Sequence, residues 1–444
     1  MPKIGIIAEF NPFHQGHMYL MDYARDTLGA SSIIIALGHE FTQRGDVALL
    51  DRYTRARSAR SCGADLVLGM PVAASCGSAE VFARCGASLL STAGCDTILC
   101  GWEGSDALQG NPRPDCSSLL SREDEGAKDL LFEIARILSK EPPEYKRVLS
   151  GELKSGKSFP SARTTALLAT LSSDKKRSIA KGLLSSPNNI LALEYARAIL
   201  DLSLDLKLEL LPRKGSAYHS SELRHEVYAS ASAIRQKLSS MESALHNETD
   251  FLLLQSLSSY MPAKAYRFLE DAAAQKLLLY PSDVDVLLHA RLLEEKDNRI
   301  FADCSSDLSN RISRSLDQYT GYEAFADLLK NKSLTRSRIC RVLTHILLGI
   351  KEEDVAAVKS LNYAPYFHVL AASKEGRSLM GQLKATRLPL FCSINELSPL
   401  FIEKEPAIKR LLSLDMKASD MVRILRIQKS KMPLPTEYTR KVEL

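Results

Sequence analysis

The feature that most constrains this chain is a regular change of hydrophobic period through its first hundred residues. Four short apolar runs, at 4–8, 32–37, 66–68 and 97–100, are rich in β-branched residues and bounded by turn formers. They lack the polar/apolar alternation of a half-solvated strand and so read as strands buried on both faces. Helical patterns at about 15–28, 51–62 and 78–92 separate them. This alternation predicts an α/β fold built on a doubly wound, Rossmann-like parallel sheet. A fifth strand is expected at 204–211, after a helical insertion spanning about 105–203. The insertion opens in a Pro- and Ser-rich loop at 110–118, and helical periods follow at about 124–139, 143–150, 162–171 and 189–202. From about Ser230 onward the pattern is helical, which divides the chain into an α/β domain over 1–240 and an all-α domain over 241–444.

The most informative local segment is the turn after the first strand, Glu9-Phe10-Asn11-Pro12-Phe13-His14-Gln15-Gly16-His17. Placed at a helix start, His14 and His17 are three apart and share one face. Backbone N–H groups there are unpaired and lie at the positive end of the helix dipole, which suits a phosphate. Gly16 removes a side chain where a phosphate or nucleobase must come close. Two imidazoles aimed at one place can hydrogen-bond the oxygens of a phosphorus centre as charge develops. A second segment, Ala229-Ser230-Ala231-Ser232-Ala233-Ile234-Arg235, offers hydroxyls to cap a helix and meet phosphate oxygens, and a guanidinium to balance a departing pyrophosphate.

This pair of signatures resembles the HIGH-motif nucleotidylyltransferase superfamily, with its HxGH turn and later ISSTxIR-like segment. A narrower resemblance, to the tRNA(Met) cytidine acetate ligase family, covers nearly the whole chain. It rests on Asn11-Pro12-Phe13-His14, Phe41-Thr42-Gln43-Arg44-Gly45, Asp65-Leu66-Val67, Ala79-Glu80-Val81-Phe82-Ala83, Asn188-Asn189-Ile190-Leu191, Ala217-Tyr218-His219, Leu334-Thr335-Arg336-Ser337-Arg338-Ile339 and Thr436-Glu437-Tyr438-Thr439, in that order. The resemblance implies a ligase that converts ATP and acetate to acetyl-adenylate and pyrophosphate. The acetyl group then passes to N4 of the wobble cytidine of elongator tRNA(Met), giving N4-acetylcytidine and AMP. It also implies that residues 1–240 form the ATP-binding catalytic domain and 241–444 a basic tRNA-binding domain.

By the same resemblance the catalytic residues are His14, His17 and Arg235. The ATP site comprises Ile7, Ala8, Glu9, Phe10, Asn11, Pro12, Phe13, His14, Gln15, Gly16, His17, Met18, Tyr19 and Leu20, with Gly101, Asn188, Asn189, Arg213, Ser230 and Ser232. Gln43 and Arg44 follow the second strand and are expected to face a substrate carboxylate or tRNA. Mg²⁺ is inferred from ATP chemistry, and no carboxylate cluster marks a metal site of the protein's own. Asp51 reads as a helix cap, and His246, His289, His345 and His368 carry no partner at ligand spacing. The chain departs from the family at Leu37-Gly38-His39-Glu40, at Gly69-Met70-Pro71 and at Ala192, all expected near the acyl pocket.

Charge supports an RNA partner. The chain holds 58 Lys plus Arg and 53 Asp plus Glu, but residues 331–444 alone hold 20 and 11. Lys330, Lys332, Arg336, Arg338 and Arg341 form a candidate basic stripe for tRNA, joined near the end by Lys417, Arg423, Arg426, Lys429, Lys431, Arg440 and Lys441. Tyr363, Tyr366 and Phe367 are candidates to stack on bases, with core packing the alternative use. Nine cysteines without a CxxC pair argue against zinc, and their odd number fits reduced thiols and a cytoplasmic location. No apolar run reaches the ~18–20 residues of a membrane span. Two other functions fit parts of the pattern: a nucleotidylyltransferase for a small phosphorylated metabolite, and a non-catalytic RNA-binding relative. Oligomeric state is not legible.

Overall fold

A computed structural model of the chain describes residues 1–103, 122–213, 228–242 and 254–444. The loop at 110–118, Lys214, Ala217-Tyr218-His219, His225 and His246 lie outside the described residues. Strands β1 (Lys3–Ala8), β2 (Ser32–Leu37), β3 (Leu66–Gly69), β4 (Thr97–Trp102) and β5 (Lys207–Pro212) are mutually parallel, in the order β5-β4-β1-β2-β3. The two-faced burial read from β2 is literal. Ile33, Ile35 and Leu37 pack with Met21 and Ala24 of the first helical segment and with Tyr53, Ala56 and Ala59 of the next. Ile34 and Ala36 pack on the other face with Phe82, Leu89 and Leu90. The helices concerned are α1 (Gln15–Asp22), which runs on through one π-helical turn at Tyr23–Thr27, α2 (Arg52–Ser61) and α3 (Ala79–Thr92).

The insertion between β4 and β5 contains α4 (Arg122–Lys140), α5 (Pro143–Lys154), α6 (Phe159–Thr170), α7 (Asp174–Ser185) and α8 (Pro187–Asp201). Helix α7 is absent from the sequence reading because it buries only Ala180 and Leu183, too few apolar positions to mark a helical stripe. After β5 the longest helices include α9 (Ala231–Glu242), α10 (Arg336–Leu348) and α11 (Pro406–Ser430).

The doubly wound sheet and its helical insertion stand as expected, but the C-terminal half is not purely helical. Strands β6 (Phe367–Ala372) and β7 (Leu390–Phe391) extend the same sheet beyond β3, giving seven strands among the described residues. Strand β6 is antiparallel to β3, and the chain end returns beside it, with Ala372 N–H donating to Glu443 O at 3.1 Å. All six residues of β6 are buried, and so short a continuous apolar run does not distinguish a strand from a buried helical turn.

The chain steps outward from β1 through β2 and β3, then returns to the other flank of β1 with β4. Loops leaving β1 and β4 therefore diverge at the carboxyl end of the sheet, where such sheets open a ligand crevice.

Candidate active site

A cavity of about 260 Å³ occupies that crevice. Its floor comes from the ends of β1 (Ile7, Ala8), β4 (Gly101) and β5 (Leu211, Pro212). Glu9, Phe10, Asn11, His14, Gly16, His17, Tyr19 and Leu20 of the β1–α1 segment line it, whereas Pro12, Phe13, Gln15 and Met18 do not. Asn188 and Arg213 form one side, Ser230, Ser232 and Arg235 another, and Gln43 with Arg44 a third.

The two histidines are locked by the local backbone. His14 is the N-cap of α1, with extended φ and ψ of −142° and 175°, and its Nδ1 accepts from Gly16 N–H at 3.0 Å. His17, at the third helical position, returns the bond: its Nδ1 accepts from His14 N–H at 3.2 Å. This is a capping box built from imidazoles. Because each Nδ1 is an acceptor, each neutral ring carries its proton on Nε2, leaving two N–H donors for the cavity both rings line. The rings lie 3.8 Å apart between centroids, tilted by 30°. Burial, then the neighbouring His17, Arg213 and Arg235, holds His14 well below the usual imidazole range. Burial and Arg213 bring His17 down to about 3. Both are neutral donors at physiological pH.

Gly16 has a nearer neighbour than any ligand. A Cβ there would meet His14 Cε1 at 2.9 Å, so the glycine makes room for the capping imidazole. A Cβ on Gly101 would likewise press on Arg213 Cγ at 3.3 Å. The Asn pair divides its work. Asn188 lines the cavity and donates to Glu103 Oε1 at 3.1 Å. Asn189 is buried, accepts from Glu103 N–H at 2.8 Å and donates to Glu103 O at 3.1 Å, holding the segment after β4 rather than lining the cavity. Ser230 Oγ accepts from Ala233 N–H at 3.1 Å at the start of α9. Arg235 donates to Asn11 O at 2.7 Å and to Ser232 Oγ at 3.3 Å, tying the two signature segments together across the cavity.

Thr42, Gln43, Arg44 and Asp46 form the remaining wall. Glu9 Oε1 accepts from Gln43 N–H at 2.6 Å, and Gln43 Nε2 donates to Gly77 O at 3.3 Å. Gly45, at φ +92°, lies so close to α10 that a Cβ would collide with the Cys340 and Arg341 backbone. Its carbonyl accepts from Tyr322 Oη at 2.7 Å and from Thr344 Oγ1. The buried Arg55 braces the same rim, donating to Glu9 O at 2.6 Å and Gly38 O at 3.2 Å. Sequence reasoning passed over Thr42, Asp46 and Tyr195, which also line the cavity. Asp46 directly follows the Gln43-Arg44-Gly45 run, and that adjacency was the available signal. Burial pushes its carboxyl up, opposed by Arg235 and Arg336.

Other expectations land elsewhere. Asp51 caps α2, accepting from Tyr53 and Thr54 N–H, each at 3.0 Å. Arg336 pairs with Asp327 at 3.1 Å, while Arg338 and Arg341 share Asp303 at 3.0 and 3.2 Å, so acids compensate the stripe on α10. Tyr363, Tyr366 and Phe367 are buried in the core. The departures from the family pattern at Gly38-His39-Glu40, Gly69-Met70 and Ala192 do not line this cavity. His39 and Glu40 are buried toward α11, and Gly69 meets Leu370 of β6. Among the described residues no group of three or more His, Cys, Asp or Glu converges as a metal site, and no helix is long and apolar enough to cross a membrane.

The family model for HIGH Nucleotidyl Transferase matches residues 1–434. A tRNA(Met) cytidine acetate ligase of Syntrophomonas wolfei is 31% identical over 431 residues, covering 96% of this chain and 95% of its own. Those of Halothermothrix orenii (31% identical, 97% and 96% covered) and Clostridium acetobutylicum (30%, 99% and 98%) match as fully. Thermotoga maritima TmcAL in its apo crystal form shares the fold at a TM-score of 0.82 and 24% identity, over 97% of this chain and 96% of that one. The same protein bound with alpha-thio ATP gives a TM-score of 0.80 at 23% identity, with the same coverage. The chain therefore belongs to the HIGH nucleotidyl transferases and, among them, to the tRNA(Met) cytidine acetate ligase family.

Proposed function

We propose that this protein is an ATP-dependent tRNA(Met) cytidine acetate ligase working in the crevice between β1 and β4. The observation that carries the reading is the reciprocal His14–His17 cap, facing Arg213 and Arg235 in one cavity. An acetate oxygen forms a bond to the α-phosphorus of ATP, and the bond from that phosphorus to the bridging oxygen breaks, releasing pyrophosphate. The Nε2–H groups of His14 and His17 donate to the phosphate oxygens as negative charge builds, and neutral donors do so without losing a proton. Arg213 and Arg235 offset the charge leaving with pyrophosphate. In the second step N4 of the cytidine attacks the acetyl carbonyl, the bond to AMP breaks and N4 loses one proton. Gly101 and Asn188 are assigned to the nucleoside, and Gln43 and Arg44 to the acetate and tRNA side of the cavity. Mg²⁺ brought on the ATP phosphates would be held by Asp46 and Glu9, the two carboxylates lining the cavity, and supplies charge neutralisation there. Residues 241–444 are assigned the larger part of the tRNA surface.

The test is ATP–pyrophosphate exchange in acetate, followed by mass spectrometry of tRNA nucleosides after incubation with ATP and labelled acetate. Acetate-dependent exchange and labelled N4-acetylcytidine are expected. Exchange supported only by a phosphorylated metabolite would overturn the reading.

A further inference from the structure

A second cavity, of about 150 Å³, lies at the seam between α2, α11 and the chain end. It shares no residue with the ATP crevice. Four arginines from three separate parts of the chain line it: Arg57 of α2, Arg423 and Arg426 of α11, and Arg440 of the tail. The sequence had placed three of them in a diffuse basic end. The fold gathers them, with one cation from the α/β half, around a single small space.

Four carboxylates, Glu40, Asp51, Asp420 and Glu437, line it as well, with Asp51 3.7 Å from Arg440 Nη1, yet buried guanidinium donors remain without a hydrogen bond. Among the described residues, Arg426 Nη2, Arg440 Nε and Ser419 Oγ are buried with no partner, and Arg426 and Ser419 are 4% and 8% exposed. Arg423 donates through Nε to Asp420 at 3.1 Å. The acids of the lining are already engaged. Glu437 Oε2 accepts from Arg52 at 2.7 Å and Tyr53 at 2.6 Å. Asp51 accepts from Tyr53 N–H and from the backbone and hydroxyl of Thr54. Glu40 Oε2 is a buried acceptor without a hydrogen bond, 3.9 Å from Arg426 Nη1. Burial pushes this carboxyl up, toward its neutral, donating form. Arg426 Nη2, Arg440 Nε and Arg57 Nε, buried and without a hydrogen bond among residues that line the cavity, would be met by an acceptor carrying several oxygens.

We propose that this seam cavity is a phosphate-group site that receives a backbone phosphate of the bound RNA. The proposal rests on the tRNA reading above and goes beyond it in fixing one point of contact. Arg423 and Arg57, at the more exposed side, meet the phosphate first. Arg426 and Ser419, deeper in, complete its partners. Such a contact adds affinity and register without reading sequence.

The test uses the full chain and two variants. Arg423→Gln removes an outer cation. Ser419→Asp supplies a carboxylate inside the cavity, giving Arg426 an internal acceptor in place of the phosphate. Both are expected to keep the wild-type rate of acetate-dependent ATP–pyrophosphate exchange. For each, tRNA affinity is expected to fall roughly tenfold, and the slope of log affinity against log salt to shrink by about one phosphate contact. Melting curves provide the folding control, with Ser419→Asp expected to melt no lower than wild type. A parallel arm melts wild type and Ser419→Asp in inorganic phosphate with ATP saturating the first cavity. Stabilisation of wild type alone is expected. Unchanged tRNA affinity and salt slope in both variants overturns the proposal while leaving the ligase reading intact. Phosphate stabilisation lost in Ser419→Asp with unchanged tRNA affinity also overturns it, in favour of a free-anion site. If the wild type neither exchanges pyrophosphate nor binds tRNA, the ligase reading has failed, and the RNA assignment of this cavity falls with it.

Discussion

At the residue scale the decisive arrangement is that His14 and His17 satisfy each other's backbone. The Nδ1 bonds at 3.0 and 3.2 Å fix both tautomers before any ligand arrives. A preorganised donor pays no reorganisation as charge develops, and losing one such donor typically costs about 10²–10³ in rate. Replacing His17 with Ala is therefore expected to lower acetate-dependent ATP–pyrophosphate exchange by at least about 10²-fold. tRNA affinity should stay close to wild type; survival of exchange would remove His17 from the chemistry. The HxGH motif was legible because cap, glycine and second histidine lie within four positions of one another. Asn189 was less so: its type suits a nucleoside, yet both its amide atoms serve Glu103, a partner 86 positions away. Which of two adjacent asparagines lines the cavity is decided by helix phase at α8, and the sequence does not display that phase.

At the element scale, the loop after β2 joins the two halves of the molecule. Gly45 takes φ +92° and abuts the α10 backbone, and its carbonyl is held by Tyr322 and Thr344. A methyl group there meets fixed backbone, not a movable side chain. Gly45→Ala combines that collision with a left-handed backbone and is expected to cost about 2–4 kcal/mol of stability. Because the loop carries Arg44 and Asp46 into the cavity, exchange should fall together with melting temperature. A variant with a wild-type melting temperature would show that the loop does not depend on this contact. Strands β1 to β4 were legible because each is a short apolar run set between helical periods. Strand β6 was hidden for the opposite reason: it sits among helices, about 300 positions from its partner β3. Only tertiary pairing makes it a strand.

At the scale of the whole molecule, the sheet runs from the N-terminal part of the chain into the C-terminal half. Strand β6 covers the edge of β3, and Glu437 anchors Arg52 and Tyr53 of α2. A fragment ending at residue 240 would expose β3 as an edge and strip Arg52 and Tyr53 of Glu437 and of the C-terminal residues beside them. Such a fragment is expected to lack a cooperative melting transition in near-ultraviolet circular dichroism. A sharp transition would establish independent folding of the α/β part. Buried titratable groups make stability depend on pH in two opposing ways. Burial lowers His14, His17, His39, His345 and His368 from the usual imidazole value. Their contribution is present above about pH 6.5 and is lost as pH falls below it, because the unfolded chain takes up the protons first. Asp415 runs the other way. Burial raises its carboxyl to about 6, against the opposing pull of Arg52 and of bonds from Tyr366 and Val72. Its contribution is complete below about pH 3.8 and is lost as pH rises through about 6, since folding then requires a buried charge. Asp415→Asn keeps an acceptor for Val72 without that charge. Relative to wild type, the variant should gain up to about 3 kcal/mol between pH 4 and pH 7, read from denaturant melts at each pH. A stability difference that stays flat across that window would mean that Asp415 is ionised in the folded protein throughout, held by Arg52 across the seam.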